Sequence, residues 1–154
     1  PLYSYVYNEG ALGLMLPSWY DCCIGKQQKT TRILVVDDED IIHVSLDMMF
    51  EDWPGDVELV HLSDARKILE FAGDGIDLVL TDLTMPKLNG IEIVRLLKTA
   101  YPKLPVLIMT GYGSLDERER LMEAGAMGLL SKPFTDLESF FCHIESALKS
   151  ATVV

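Results

Sequence analysis

Four short apolar runs of this chain each end on polar residues that could take part in chemistry. The first run ends at Asp37 and Asp38, the second at Asp82, the third at Thr110 and the fourth at Lys132. Three carboxylates within about 5 Å of one another repel by several kcal/mol at an effective dielectric of ~20, and a divalent cation relieves that repulsion. An all-oxygen site without histidine or cysteine favours a hard ion such as Mg²⁺. The hydroxyl and the ammonium could then donate to the oxygens of a phosphoryl group.

The apolar runs indicate how these residues come together. Continuous apolar stretches separated by helix-length segments are typical of buried parallel strands, and such sheets bind ligands at the carboxyl ends of the strands. We expect strands near 32–37, 57–62, 77–81, 105–110 and 127–131. We expect helices near 40–52, 64–72, 90–100, 114–124 and 135–149. Since right-handed crossovers place helices on both faces of the sheet, the predicted fold is α/β: a doubly wound, five-stranded parallel sheet in a flavodoxin-like (βα)5 three-layer sandwich.

Local signals predict where two of the helices begin. Ser114 with Glu117, and Thr135 with Glu138, have the spacing of a capping box. Gly125 is placed to end the helix that starts near 114. The pairs Met48-Met49 and Phe140-Phe141 are interpreted as core residues rather than as a groove for a partner.

Composition restricts the class of protein. A chain of 154 residues is expected to form one domain, here residues 31–150, preceded by a tail or linker of unknown role at residues 1–30. The net charge of −11 argues against nucleic acid or an anionic membrane as a direct partner. The longest apolar stretches are too short to span a bilayer. Cys22, Cys23 and Cys142 form neither a disulfide framework nor a zinc motif, which favours a reducing, cytoplasmic location.

Asp82 is the candidate phosphoryl acceptor. It follows the apolar run expected to form the middle strand, and the turn-rich segment 84–90 comes after it. Carboxylates can accept a phosphoryl group and form a mixed anhydride. Asp37 and Asp38 would then serve a metal ion.

These residues carry a resemblance to a known family. From about Thr31 to Lys149 the chain resembles the receiver domain of the two-component response regulators, of the chemotaxis-regulator type. Asp38, Asp82, Thr110 and Lys132 follow one another at intervals of 44, 28 and 22 residues, which suit that family. The matching segments are ILVVDDE at 33–39, DLVLTDLTMP at 77–86, Asn89-Gly90, VLIMTG at 106–111 and SKPF at 131–134.

The resemblance implies a role for each site residue. Asp82 would take a phosphoryl group from a histidine kinase or a histidine phosphotransfer protein, and Thr110 and Lys132 would contact the phosphoryl oxygens. The peptide bond between Lys132 and Pro133 would be cis. The implied ligands of Mg²⁺ are Asp37, Asp38, Asp82 and the backbone carbonyl of Thr84.

The resulting hypothesis is a phosphorylation-controlled signalling domain of a phosphorelay. Such a domain is not an enzyme beyond its own phosphorylation and dephosphorylation, and it would switch a face formed by the fourth helix, fifth strand and fifth helix toward an unknown output protein. A monomer and a phosphorylation-dependent dimer both stay open. Leu129 departs from the family, which often has Tyr or Phe at that position. Thr84 and Tyr112 stand where family members vary the dephosphorylation rate.

Two alternatives remain from the residues. One is a receiver-like interaction module that works without phosphorylation. The other is a phosphohydrolase of the haloacid dehalogenase type, although Asp82-Leu83-Thr84 lacks the second acid of its D-x-D motif. His43, His61 and His143 are isolated in the sequence, and none is predicted to be phosphorylated.

Overall fold

The computed structural model describes residues 29–73, 75–111 and 115–152. These residues form five strands and five helices that alternate along the chain. The strands are β1 (Thr31–Val36), β2 (Val57–Leu62), β3 (Leu78–Asp82), β4 (Val106–Thr110) and β5 (Gly128–Ser131). The helices are α1 (Asp40–Phe50), α2 (Ile68–Phe71), α3 (Gly90–Ala100), α4 (Leu115–Ala124) and α5 (Leu137–Thr152). A short 3₁₀ turn, Ala65–Lys67, leads into α2.

The sheet confirms the predicted topology. All four strand pairings are parallel, and the strand order is β2-β1-β3-β4-β5. The strand bounds match the predicted ones within one residue at each end. β3 is the middle strand, and all five of its residues are buried. The residues that end β3 therefore lie at the centre of one sheet edge.

Alternate residues of the strands build two hydrophobic layers. One layer joins one strand face to α1 and α5, with Phe50, Phe141 and Ile144 among its buried residues. The other joins the opposite face to α2, α3 and α4, through residues such as Ile68 and Ile93. Burial on both faces explains why the strands are continuous apolar runs, and it makes the molecule the predicted three-layer sandwich.

Some local predictions are confirmed and others are wrong. Gly125 ends α4 in the left-handed region, at a φ of 104°, as predicted. The capping box at Thr135 is wrong, because Asp136 Oδ1 accepts from the backbone N–H of Ser139 at 3.0 Å, and α5 starts at Leu137. The predicted box at Ser114 lies outside the described residues.

Two further differences concern α1 and its methionines. The helix ends at Phe50 rather than near residue 52. Phe140 and Phe141 are buried as predicted, whereas Met48 is 66% exposed, so the core prediction is wrong for that residue. Met49 is half-buried and packs against the α1–α5 layer. The difference arises because consecutive helix residues point about 100° apart, so both cannot face the same layer.

No helix in the part of the chain that the structure describes combines the length and the hydrophobicity needed to span a bilayer.

Candidate functional site

The carboxyl ends of β1 and β3 bring two carboxylates together. Asp82 is the last residue of β3, and Asp37 lies one residue beyond β1. Backbone hydrogen bonds hold both positions to the sheet: Asp37 N–H donates to the carbonyl of Leu62 on β2 at 3.2 Å, and Leu83 N–H donates to that of Met109 on β4 at 3.0 Å. Both aspartates are buried, Asp37 completely and Asp82 with 8% of its surface exposed. Burial of two acids at one edge requires a positive partner.

Lys132 supplies that positive partner. Its Nζ donates to Asp37 Oδ2 and to Asp82 Oδ1, each at 2.7 Å, from the loop after β5. The lysine side chain is itself only 15% exposed. Burial lowers the pKa of Lys132, but the hydrogen bonds and the charges of Asp37 and Asp82 outweigh that effect and raise its pKa above the ordinary value. The ammonium is therefore held in its charged form between two carboxylates.

The loop after β3 is closed tightly around Asp82. The backbone N–H of Thr84 donates to Asp82 Oδ2 at 2.7 Å, so both carboxylate oxygens of Asp82 accept hydrogen bonds. Gly90 N–H donates to the Leu83 carbonyl at 2.9 Å. A Cβ at Gly90 would lie 3.0 Å from Leu83 Cα and 3.1 Å from the Asp82 carbonyl oxygen, so only glycine fits without a shift of the backbone. Asn89 adds a capping box with Glu92 at the start of α3, which the sequence analysis missed.

The ends of β4 and β5 place Thr110 next to Lys132. Thr110 pairs in register with Ser131, and its carbonyl accepts from Lys132 N–H at 2.7 Å. Thr110 is 6% exposed at the end of β4. The peptide bond between Lys132 and Pro133 is cis, as the resemblance implies. Tyr112 lies outside the described residues.

The predicted metal ligands are only partly gathered by side-chain contacts. Asp37 and Asp82 converge on one ammonium, so their bonded oxygens are at most twice 2.7 Å apart. Asp38 is exposed beside them. Within residues 29–73, 75–111 and 115–152, no group of three or more His, Cys, Asp or Glu side chains is arranged to hold a metal ion. The oxygen-only donors still fit Mg²⁺, because that ion takes one or two carboxylates and completes its shell with other oxygens and water.

Leu129 and two histidines, His43 and His61, occupy defined positions in the fold. Leu129, the predicted departure from the family, is half-buried on β5 and packs against the α2–α4 layer. His43, which is isolated in the sequence, is 7% exposed, and its Nε2 lies 2.8 Å from the carbonyl oxygen of Asp37. His61 lies 2.8 Å from the other ring nitrogen of His43. No sequence pattern signals this pair, because 18 residues separate its members.

Comparison with known proteins agrees with this geometry. Residues 33–141 match the family model described as the response regulator receiver domain. Response regulator MprA of Mycolicibacterium vanbaalenii is 37% identical over 122 residues, which are 79% of this chain and 52% of MprA. Transcriptional regulatory protein FixJ of Bradyrhizobium diazoefficiens is 34% identical over 121 residues, 78% of this chain and 58% of FixJ. The chain thus spans about half the length of these curated relatives.

Solved structures give the same result. The crystal structure of a response regulator receiver domain protein from Clostridium thermocellum has a TM-score of 0.67 and 34% sequence identity, and the match covers 77% of this chain and 94% of that one. With the five-stranded parallel sheet and the Asp37–Lys132–Asp82 contact, these matches agree on one family. The chain belongs to the response regulator receiver domain family, whose standard function is phosphorylation-controlled signalling in two-component systems.

Proposed function

We propose that residues 31–150 are a receiver domain in which Asp82 accepts a phosphoryl group from a histidine kinase or a histidine phosphotransfer protein. The observation that carries this proposal is the position of Lys132 Nζ, 2.7 Å from both Asp37 Oδ2 and Asp82 Oδ1. A lysine placed there offsets part of the negative charge of the acids before the reaction and lies next to an oxygen of the acceptor carboxylate. The side chain of Asp82 is 12% exposed, which leaves it accessible from the open end of the sheet.

The reaction would be an attack of an Asp82 carboxylate oxygen on the phosphorus of a phosphohistidine. The new P–O bond gives a mixed anhydride, and the broken P–N bond returns its electron pair to the imidazole. Lys132 would donate from its ammonium to one phosphoryl oxygen, and Thr110 from its hydroxyl to another. The N–H of Thr84, now bonded to Asp82 Oδ2, holds the carboxylate in one orientation.

The proposed Mg²⁺ ligands are three side chains and one carbonyl. The ion would supply positive charge to the phosphoryl oxygens as the bond forms. Asp37 and Asp82 are buried and already close to each other, whereas Asp38 and Thr84 are exposed at the mouth of the site. The complete set is Asp37, Asp38, Asp82 and the backbone carbonyl of Thr84.

The same proposal implies which partners the domain has and where it is located. The upstream partner is a histidine kinase or phosphotransfer protein, and the downstream partner is a protein that recognises the α4, β5 and α5 face. We infer no direct contact with nucleic acid or membrane, since the net charge is −11. We also infer a cytoplasmic location, a tail or linker role for residues 1–30, and either a monomer or a phosphorylation-dependent dimer.

Phosphorylation by a small donor tests the proposal directly. The protein is incubated with acetyl phosphate and Mg²⁺, and its intact mass is measured over time. The expected result is one added phosphoryl group per chain, absent in Asp82→Asn and strongly reduced when Mg²⁺ is removed. The matched control is Asp56→Asn. Asp56 is exposed and directly precedes β2, so it lies at the amino ends of the strands, away from the carboxyl ends that hold the site. This control should be phosphorylated like the wild type.

Each alternative gives a different outcome. Repeated turnover of phosphate esters without a stable adduct would indicate a phosphohydrolase of the haloacid dehalogenase type. A folded wild type that never gains the phosphoryl mass would indicate an interaction module that works without phosphorylation. An adduct that persists in Asp82→Asn would show that another residue is the acceptor.

A further inference from the structure

A chain of hydrogen bonds through two histidines ends at the acidic loop after β1. His43 on α1 and His61 on β2 have their Nδ1 atoms 2.8 Å apart, with the rings nearly perpendicular at 78°. His61 Nε2 lies 2.8 Å from Asp47 Oδ1 on the exposed side of α1. His43 Nε2 lies 2.8 Å from the carbonyl oxygen of Asp37. These hydrogen bonds thus connect a surface carboxylate to the backbone of a buried site residue.

The groups that His43 and His61 contact determine which of their ring nitrogens carry a proton. A carbonyl and a carboxylate can only accept, so the Nε2 atoms of His43 and His61 are both donors. The contact between the two Nδ1 atoms needs one more proton. Both ring nitrogens of His43 are engaged, so its ring cannot turn without breaking a hydrogen bond.

These hydrogen bonds act on the loop after β1 through the carbonyl of Asp37. Asp37 lies one residue beyond β1, so its carbonyl is outside the regular strand ladder, and a buried carbonyl needs a donor. His43 supplies that donor. Because a peptide bond is planar, fixing the carbonyl of Asp37 also fixes the N–H of Asp38 and the direction in which Asp38 leaves the sheet. The Glu39 N–H, bonded to Asp37 Oδ1 at 2.9 Å, completes the same turn.

We propose that His43, anchored by His61 and Asp47, is a positioning residue that sets the peptide between Asp37 and Asp38. It holds the two neighbouring carboxylates in the arrangement that a divalent cation requires. The value of this arrangement rests on the proposed function, whereas the ordering of the loop does not. Groups that orient metal ligands from behind change metal affinity by about 10- to 100-fold when they are removed. A carbonyl held from behind, one residue from Asp38, belongs at the lower end of that range.

Four variants test the proposal. His43→Leu removes the donor with little change in size, and His43→Gln keeps an N–H donor that can reach the Asp37 carbonyl. His61→Leu removes the anchor at a side chain that is 30% exposed and so opens no core cavity. The matched control is His143→Leu, an exposed histidine of α5 whose Nδ1 bonds only locally, to the Ser139 carbonyl at 2.7 Å.

Two measurements are made on each variant. One is amide hydrogen exchange at Glu39, compared with Val35 in the middle of β1, and the other is the Mg²⁺ dissociation constant by titration calorimetry. His43→Leu should exchange faster at Glu39 than the wild type, with Val35 unchanged, and should bind Mg²⁺ about tenfold more weakly. His61→Leu should change both quantities in the same direction by a smaller factor, because it contacts the loop only through His43. His43→Gln should recover most of the loss, and His143→Leu should match the wild type.

Several results would contradict the positioning role of His43. Wild-type values at Glu39 and for Mg²⁺ in His43→Leu would overturn the proposal. So would equal acceleration at Val35, or a Gln variant no better than Leu, because His43 would then act only through core packing. If His43→Leu fails to fold, His61→Leu decides the question alone. A wild type that binds no Mg²⁺ would overturn the metal assignment of the proposed function, while the Glu39 exchange would still decide the positioning role.

Discussion

Replacing Lys132 by methionine should destabilise the folded protein through the two acids it now bridges. Methionine is similar in length and volume but carries no charge. The change removes both hydrogen bonds of Nζ and leaves Asp37 and Asp82 facing each other with side chains 1% and 12% exposed. Two unit charges about 5 Å apart repel by about 3 kcal/mol at an effective dielectric of ~20. Removing one partner of a buried ion pair costs about 3–5 kcal/mol.

We therefore expect Lys132→Met to lower the free energy of unfolding by about 3 kcal/mol at pH 7 without divalent cations. The assay is equilibrium urea unfolding, followed by far-UV circular dichroism. A second substitution separates repulsion from lost packing: Asp82→Asn in the Lys132→Met background removes one of the two charges and should recover about 2 kcal/mol. Lys103→Met is the matched control, because Lys103 is exposed between α3 and β4, and it should stay within about 0.5 kcal/mol of the wild type.

The pH dependence gives an independent check with a definite sign. Since the pKa of Lys132 is raised in the folded state, its contribution is fully present below the ordinary lysine pKa of about 10.4. The contribution disappears as the pH rises through the raised folded-state value. The stability difference between the wild type and Lys132→Met should therefore be constant near neutral pH and shrink in strongly alkaline solution. A loss below about 1 kcal/mol at pH 7, or a double variant no more stable than Lys132→Met, would refute this account.

Three further predictions concern the elements around the site. Leu129→Tyr should leave the rate of phosphorylation by acetyl phosphate within about twofold of the wild type, since Leu129 lies on the α2–α4 side of β5 rather than at Asp82; a loss of phosphorylation in the mass assay would contradict this. Asn89→Ala should cost about 1 kcal/mol in urea unfolding, because it removes the capping box of α3. Gly90→Ala should cost about 1–3 kcal/mol by forcing Leu83 away, whereas Gly111→Ala, where a Cβ meets nothing within 4 Å, should change stability by less than about 0.5 kcal/mol. Equal effects of the two glycine substitutions would argue against the close approach at Gly90.

The strands could be predicted from the sequence because burial on both faces leaves a clear signal. Ile33 to Val36 and Leu78 to Leu80 are all fully buried, and each run is uninterrupted by polar residues. The polar residues that end these runs share one sheet edge because parallel strands with right-handed crossovers allow no other arrangement. The same geometry brings Lys132 to the side of the sheet that Asp37 and Asp82 share.

Helix ends and long-range polar contacts could not be predicted in the same way. Thr135 and Asp136 are both good N-caps, and only the packing of α5 decides that Asp136 accepts from Ser139. Met48 and Met49 are the same type of residue, and Met48 faces solvent because of its position around the helix axis. The contact of His43 with His61 depends on how α1 packs beside β2, which no local pattern records.

The charges at the strand ends determine what the proposed phosphorylation would change. Asp37, Asp38 and Asp82 carry three negative charges against one positive charge on Lys132, so the excess is two, which a divalent cation neutralises. A phosphoryl group on Asp82 makes the site negative again and adds strong acceptor oxygens. The ammonium, with its three donors, must then be shared between Asp37 and these oxygens.

That redistribution has a mechanical route into the fold. Lys132 directly follows β5, and its N–H is bonded to the Thr110 carbonyl at the end of β4. A shift of the ammonium would therefore act on a residue that is joined to the ends of two neighbouring strands. Leu129 lies on β5 and packs against the α2–α4 layer, so the displacement would reach that layer through the strand itself. Because leucine has no ring to rotate, the response would be a movement of β5 and α4 rather than the turn of one aromatic side chain.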